Sequence, residues 1–171
     1  SKIHSLTQRA ISGAESLFKI LDTQPGICDE GTSVAPHGAT DVVFEGVHFD
    51  YGEEPVLTDL NFRIGAGEVV ALVGPSGAGK STIANLIPRL LDPCLGCIKL
   101  ADQDLRTYEL SSLRRSIAVV SQEAFLFNDT IAANISFGIQ ASMAEIEKAA
   151  KIANAHGFIQ SLSNSYNTRI D

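Results

Sequence analysis

The chain has 171 residues, with 13 basic side chains against 20 acidic ones and a formal net charge of −7. The length allows one domain with a core, and the acidic balance argues against a surface for nucleic acid or anionic lipid, so no nucleic-acid partner is expected. The odd count of three cysteines indicates a reducing compartment rather than a disulfide scaffold. No run approaches the roughly 18–20 apolar residues of a membrane-spanning helix, so no transmembrane segment is expected in this chain.

The first predicted element is an amphipathic helix over residues 1–21. Its apolar residues recur three or four positions apart, which places them on one helical face. The next stretch, residues 22–40, is rich in Gly, Pro, Ser and Thr without a period and is predicted to be a linker. Because this linker separates the helix from the next element, we expect the apolar face to pack against a part of the protein outside this chain. The face consists of Ile3, Leu6, Ala10, Ala14, Leu17 and Leu21.

Short β-type runs begin at residue 41. The runs "DVVFEGVHFDY" and "LTDLNFRI" nearly alternate between apolar and polar residues around the turn signal "GEEP", which predicts an antiparallel pair. The continuous apolar run "VVALV" is typical of a strand buried on both faces. A helix is predicted to begin near Gly79 and to bend or end early at Pro88.

Further strands and helices are predicted after this helix. "GCIKLA" and "SIAVVS" have the character of strands, and "ELSSLRR" between them is predicted to be a short helix. Residues 142–155 form an alanine-rich helical pattern. Ser142 as N-cap and Glu145 three positions later predict a capping box at its start.

The stretch "GPSGAGKST", residues 74–82, satisfies G-x-x-x-x-G-K-[ST] between a predicted strand and a predicted helix, which is the context that this motif requires. Glycines let a polyphosphate approach the backbone, and amides of residues 77–82 can then point at the phosphates from the positive end of a helix. Lys80 is predicted to bridge the outer phosphates, and Ser81 to give its hydroxyl to Mg²⁺. The nucleotide-binding residues predicted in this loop are Gly74, Pro75, Ser76, Gly77, Ala78, Gly79, Lys80, Ser81 and Thr82.

Segments on both sides of this loop carry a family resemblance. "VHFDYGEEPVLTDLNFRIGAGEVVALVGPSGAGKST", "LDPCLGCIKLADQDLRTYELSSLRRSIAVVSQEAFLFNDTIAANISFG" and "AAKIANAHGFIQSL" resemble the nucleotide-binding domain of an exporter-type ATP-binding cassette (ABC) transporter. The resemblance implies that residues 41–171 are the N-terminal part of that domain. Its fold would be an α/β P-loop NTPase, a RecA-like core with an antiparallel β subdomain, here incomplete. The helix at residues 1–21 resembles the cytoplasmic end of the last transmembrane helix, and it would precede this fold.

The resemblance also implies roles for single residues. Tyr51 matches the aromatic residue that stacks on the adenine of ATP, although a tyrosine that merely packs in the hairpin is the alternative. Gln122, in "VVSQ", matches the glutamine that reaches Mg²⁺ and the attacking water. Lys80 and Gln122 are therefore the predicted catalytic residues, and Ser81 and Gln122 the predicted metal ligands.

The same resemblance implies partners. The stretch "EAFLFNDTIAANISFG" matches the region that receives the coupling helix of the membrane domain, with Phe125, Leu126 and Phe127 in the docking surface or, alternatively, in a local core. A second nucleotide-binding domain, in a homo- or heterodimer, would complete the ATP site at the cytoplasmic face of a membrane. The membrane domain would bind the transported lipid, peptide or drug.

In this family the signature sequence, the Walker B strand, the general-base glutamate and the switch histidine follow the matched segment. We expect them beyond residue 171, together with the strands that neighbour "VVALV". The chain by itself is therefore predicted to bind Mg-ATP weakly or not at all and not to hydrolyse it.

Several other readings are less favoured. Glu123 matches no catalytic position, and Cys94 and Cys97 form a C-x-x-C that has no second pair and precedes a strand rather than a helix. A P-loop GTPase or kinase would leave Tyr51 and Gln122 unexplained, and the guanine-specific N-K-x-D is absent. A non-catalytic, degenerate cassette is the third possibility.

Overall fold

A computed structural model describes residues 11, 13–15, 17–23, 25–52, 54–121 and 125–170. The chain divides into two compact units, Ser1–Val119 and Val120–Asp171. Each unit has its own hydrophobic core, and the first contains an antiparallel sheet whereas the second is mainly helical.

The first unit is organised around a four-stranded antiparallel sheet in the order β2-β1-β3-β4. Val42 of β1 lies opposite Ile64 of β2 on one side and opposite Leu100 of β3 on the other. The predicted antiparallel pair and the predicted strand "GCIKLA" are therefore confirmed. The four strands are β1 (Val42–Asp50), β2 (Pro55–Ile64), β3 (Leu95–Leu100) and β4 (Gln103–Asp104).

A bulge at Gly46 decides which β1 side chains enter the core. Strict alternation would not bring Phe44 and Val47, three positions apart, to the same face of a strand. The pairing register shifts between these two residues, and Gly46 takes a left-handed φ of +56°. As a result Phe44, Val47 and Phe49 are all buried, with exposed fractions of 1%, 0% and 6%.

Two helices of the first unit pack into the same core. Helix α1 runs Lys80–Leu86 and α2 runs Leu110–Ser116, with a 3₁₀ turn at Leu105–Thr107 before α2. The predicted early end of α1 is confirmed, because Pro88 has no N–H to continue the helical hydrogen bonds. The core consists of Ala35, Phe44, Val47, Phe49, Leu57, Ile83, Leu86, Ile98, Leu100, Leu105, Tyr108 and Leu113.

Two of the predicted strands are wrong. Residues 69–73 ("VVALV") and 117–121 (from "SIAVVS") have no strand conformation, and Val69, Val73 and Val120 are 97%, 89% and 97% exposed. A strand is held by backbone hydrogen bonds to neighbouring strands. The four strands of the described sheet pair with one another, and none of them pairs with residues 69–73 or 117–121. This agrees with the expectation that "VVALV" would lack neighbours here.

The described residues of the predicted leading helix, 11, 13–15 and 17–21, are helical. Leu17 and Leu21 of its apolar face are 64% and 75% exposed, so the described part of the chain leaves that face largely uncovered. Ile3, Leu6 and Ala10 lie outside the described residues. Among the described residues, no helix has both the length and the apolar character needed to cross a bilayer.

The second unit is a small helical cluster. Its core is formed by Ile146, Ala150, Ile159 and Tyr166. The predicted capping box is confirmed: the Ser142 N–H donates to Glu145 Oε2 at 2.8 Å, and the Glu145 N–H donates to Ser142 Oγ at 3.4 Å. The helices are α3 (Ile131–Ile135), α4 (Met143–Ile152) and α5 (His156–Gln160), followed by a 3₁₀ turn at Ser165–Asn167.

Candidate nucleotide-binding site

The backbone of the predicted phosphate loop depends on two glycines. Gly77 and Gly79 have φ of +82° and +78°, which is left-handed backbone that side chains disfavour. A Cβ on Gly79 would lie 2.7 Å from Leu57 Cδ2 and 3.4 Å from the carbonyl oxygen of Val56. Gly79 is therefore required both for its conformation and for the close approach of the loop to β2, whereas Gly77 is required for conformation alone.

This loop lines a cavity of about 500 Å³, which is within the usual size range of ligand sites. The cavity collects Tyr51 from the hairpin and the loop residues from 76 onward, although 25 positions or more separate them in the sequence. Gly74 and Pro75 are not among the lining residues. Val56 does line the cavity. The sequence prediction missed it because its position as the second residue of β2 gives no functional signal. The lining residues are Tyr51, Val56, Ser76, Gly77, Ala78, Gly79, Lys80, Ser81 and Thr82.

The Lys80 ammonium is held by the loop itself. Its Nζ donates to the carbonyl oxygens of Gly74 and Pro75, at 2.9 and 2.6 Å. The loop thus curls around a cation at the start of α1, where the helix dipole adds further positive potential. An incoming phosphate oxygen would compete with these two carbonyls for the same ammonium.

Tyr51 lies at the edge of the loop. Its hydroxyl is 3.3 Å from Thr82 Oγ1, within hydrogen-bonding distance, and its ring makes an edge contact with Phe49 at a centroid distance of 4.8 Å. Despite both contacts Tyr51 is 65% exposed. An exposed aromatic ring beside a phosphate loop can stack on a base.

The residues at the loop fit magnesium held mainly by a nucleotide. The described residues include no group of three or more His, Cys, Asp or Glu side chains that could hold a metal ion. Mg²⁺ commonly keeps several waters and binds through substrate phosphates plus one or two protein ligands. Ser81 is exposed, lines the cavity and lies in the first turn of α1, so its hydroxyl is placed for this role. Gln122, the other predicted ligand, lies outside the described residues, as does Glu123.

The C-x-x-C pair has the surroundings of ordinary surface thiols. Cys94 Sγ donates to Asp50 Oδ2 at 3.3 Å, and Cys97 Sγ donates to Glu45 Oε2 at 3.5 Å. Burial, followed by the Glu45 carboxylate, raises the pKa of the Cys97 thiol. A reactive cysteine needs the opposite shift. This geometry disfavours a redox role.

Comparison with known proteins places the chain in a family. Residues 57–170 match the ABC transporter family. The chain is 43% identical over 173 residues to an ATP-dependent lipid A-core flippase of Desulfotalea psychrophila, covering 99% of this chain and 30% of that protein. It is 49% identical over 165 residues to the protein of that name from Alcanivorax borkumensis, covering 94% of this chain and 28% of that protein.

A solved structure supports the same family. The fold matches that of a bacterial Atm1-family ABC exporter with ATP bound, with a TM-score of 0.86 and 38% identity over 95% of this chain and 29% of the exporter chain. The chain belongs to the ABC transporter family, and it has the P-loop NTPase fold with an antiparallel sheet. The predicted family and fold class are confirmed. The chain spans about 30% of the length of the relatives that it matches.

Proposed function

We propose that this chain is the ATP-binding, energy-coupling part of an ABC exporter, in which ATP hydrolysis by the intact dimer drives export across a membrane. The observation that carries the proposal is the single cavity that joins the glycine loop, Lys80 and the exposed Tyr51 ring. Membership of the ABC transporter family supports it.

Most residues of the cavity have a task in this proposal. The amides of residues 77–82 bind the phosphate tail, and Lys80 leaves the carbonyls of Gly74 and Pro75 to bridge the outer phosphates. Tyr51 stacks on adenine. The Ser81 hydroxyl would help to hold Mg²⁺, which would supply positive charge to the phosphates. Gln122 remains the proposed second metal ligand, with a catalytic role toward the attacking water.

An aromatic surface in the second unit supports a membrane-domain partner. Phe125, Leu126 and Phe127 are 78%, 55% and 40% exposed, which disfavours the alternative that they form a local core. Phe127 stacks on Phe137 at a centroid distance of 4.2 Å. Exposed aromatic clusters of this kind favour protein partners, and we propose the coupling helix of the membrane domain as the partner.

The proposed cargo is a lipid, because the relatives are named as lipid A-core flippases. Peptides and drugs are the alternatives, and the membrane domain would bind any of them. The proposed location is the cytoplasmic face of a membrane, within a homo- or heterodimer of cassettes. The chain by itself would not hydrolyse ATP.

Calorimetric titration of Mg-ATP into a version extended to the full cassette tests the proposal. We expect Lys80→Ala to weaken binding at least about tenfold, because the bound phosphate loses its paired cation. Lys148→Ala is the matched control, since Lys148 is an exposed lysine of α4 outside the cavity. Equal affinities for the Lys80 variant and the wild type would refute the proposal. Binding without turnover in the intact dimer would instead identify a degenerate cassette.

A further inference from the structure

Residues 28–35, named the strap below, run along residues 107–112 in the first unit. The N–H groups of Thr32 and Ser33 both donate to the Thr107 carbonyl oxygen at 3.0 Å, and the Glu109 N–H donates to the Ser33 carbonyl oxygen at 2.8 Å. These bonds give the strap a β-bridge at Ser33. The strap therefore follows one defined course within the stretch whose composition predicts a linker.

The end of the strap is anchored in the core. Ala35 is 2% exposed, and its N–H donates to Ser112 Oγ of α2 at 2.9 Å in a buried hydrogen bond. Ser112 itself is 5% exposed. Breaking this contact would leave two buried polar groups without their partner, so the anchor is costly to release.

Two strap residues are fixed by their contacts with α2 and the turn before it. Asp29 Oδ1 accepts the N–H of Leu110, the first residue of α2, at 2.8 Å. The N-cap residue Glu109 makes no side-chain capping bond, so Asp29 caps the helix from a distant part of the sequence. At Gly31 a Cβ would lie 2.0 Å from the carbonyl oxygen of Tyr108, and only glycine permits this approach.

The strap and α2 together hold the C-terminal end of α1. Arg89 is 5% exposed; it pairs with Asp92 at 2.9 Å, and its Nη2 donates to the strap carbonyl oxygen of Cys28 at 3.2 Å. Arg114 Nη2 donates to the Arg89 carbonyl oxygen at 2.7 Å. The Arg89 N–H donates in turn to the carbonyl oxygen of Leu86, the last residue of α1.

Helix α1 therefore joins two sites. Its first residues, Lys80 and Ser81, belong to the nucleotide cavity, and its other end, about 10 Å away for seven residues, is held through Arg89. The contacts from the strap through Arg89 to α1 therefore form a continuous route between the strap and the glycine loop.

We propose that docking of the strap is coupled to nucleotide binding through α1, with Asp29 and Gly31 as positioning residues. The proposal rests on the proposed function, since it requires the loop to bind ATP. Coupling of this kind is reciprocal: a docked strap strengthens nucleotide binding, and bound nucleotide stabilises the docked strap by the same factor.

Hydrogen exchange of residues 30–35 in the full-length subunit, with and without a non-hydrolysable ATP analogue and Mg²⁺, tests the proposal. We expect nucleotide to slow exchange of the wild-type strap. Asp29→Ala and Gly31→Ala should abolish this response and weaken nucleotide binding about fivefold or more. Asp29→Asn removes the charge but keeps the oxygen that accepts the Leu110 N–H. If the hydrogen bond rather than the charge positions the strap, this variant should retain the response.

The chain offers two matched controls. Glu30→Ala removes an exposed carboxylate next to Asp29, and Gly26→Ala adds a methyl group with no atom within 4 Å. Both should behave as wild type. If Gly31→Ala does not fold, Asp29→Ala decides the question. Strap exchange that ignores bound nucleotide would overturn the coupling while leaving the proposed function intact, whereas a wild type that binds no nucleotide would overturn both.

Discussion

Replacing Gly79 by alanine tests whether the phosphate loop needs its close approach to β2. The left-handed backbone of Gly79 costs a non-glycine residue about 1–2 kcal/mol. The new Cβ would also meet Leu57 Cδ2 at 2.7 Å. Leu57 is 6% exposed within the core, so relieving the clash requires a core or loop shift that costs about a further 1–3 kcal/mol. We therefore expect Gly79→Ala to displace the amides that are proposed to bind the phosphates.

Substitutions at two other glycines distinguish the effect of backbone strain from the effect of a steric clash. Gly77 and Gly67 have φ of +82° and +76°, and a Cβ on either would have no atom within 4 Å. Gly77→Ala therefore introduces strain inside the loop without a clash, and Gly67→Ala introduces the same strain outside the cavity.

The assays are urea unfolding and calorimetric titration of Mg-ATP, both on the extended cassette. Gly79→Ala should weaken binding about tenfold more than Gly77→Ala, which corresponds to about 1.4 kcal/mol. Gly67→Ala should lower the free energy of unfolding without changing the affinity. If Gly79→Ala binds as tightly as wild type and is no less stable than Gly77→Ala, the steric reasoning is wrong.

Three further outcomes are expected. Tyr51→Ala should weaken ATP binding by about 1–3 kcal/mol and leave binding of inorganic triphosphate unchanged, because only a base stacks on the ring; calorimetry with both ligands checks this. Leu86→Ala should lower the free energy of unfolding, measured in urea, by about 2–5 kcal/mol because Leu86 is fully buried. Leu90 is 50% exposed, so Leu90→Ala should change this free energy little. Hydrogen bonds from the Ser142 side chain and then its backbone lower the pKa of Glu145. The wild type should therefore be more stable than Glu145→Ala above about pH 4.3, the unfolded pKa, and should lose that advantage as the pH falls through the lowered folded pKa; thermal unfolding across pH measures it.

Local chemistry made several features predictable. The capping box at Ser142 and Glu145 involves residues three positions apart, so the sequence contains the whole interaction. The end of α1 before Pro88 follows from a missing N–H in a single residue. The glycine loop is likewise continuous in sequence, so the spacing of its glycines, Lys80 and Ser81 was enough to predict phosphate binding, which stays a prediction.

Features that depend on distant partners were not predictable in this way. The run "VVALV" has the composition of a buried strand, yet residues 69–73 are not a strand, because composition cannot supply the neighbours whose backbone groups a strand needs. The bulge at Gly46 is a similar case. A glycine inside an alternating pattern does not reveal which strand it will face or where the register will shift.

The sequence by itself determined the glycine loop proposed to bind phosphate, the family resemblance and the main local elements of this protein, since each depends on residues close together in the chain. Tertiary structure alone decided that Val56 lines the cavity of that loop, and that Asp29 caps a helix that begins at Leu110. The physical reason is that contacts between distant segments depend on how the core closes. A Cβ 2.0 Å from a carbonyl oxygen, as at Gly31, becomes a constraint only after the chain has folded.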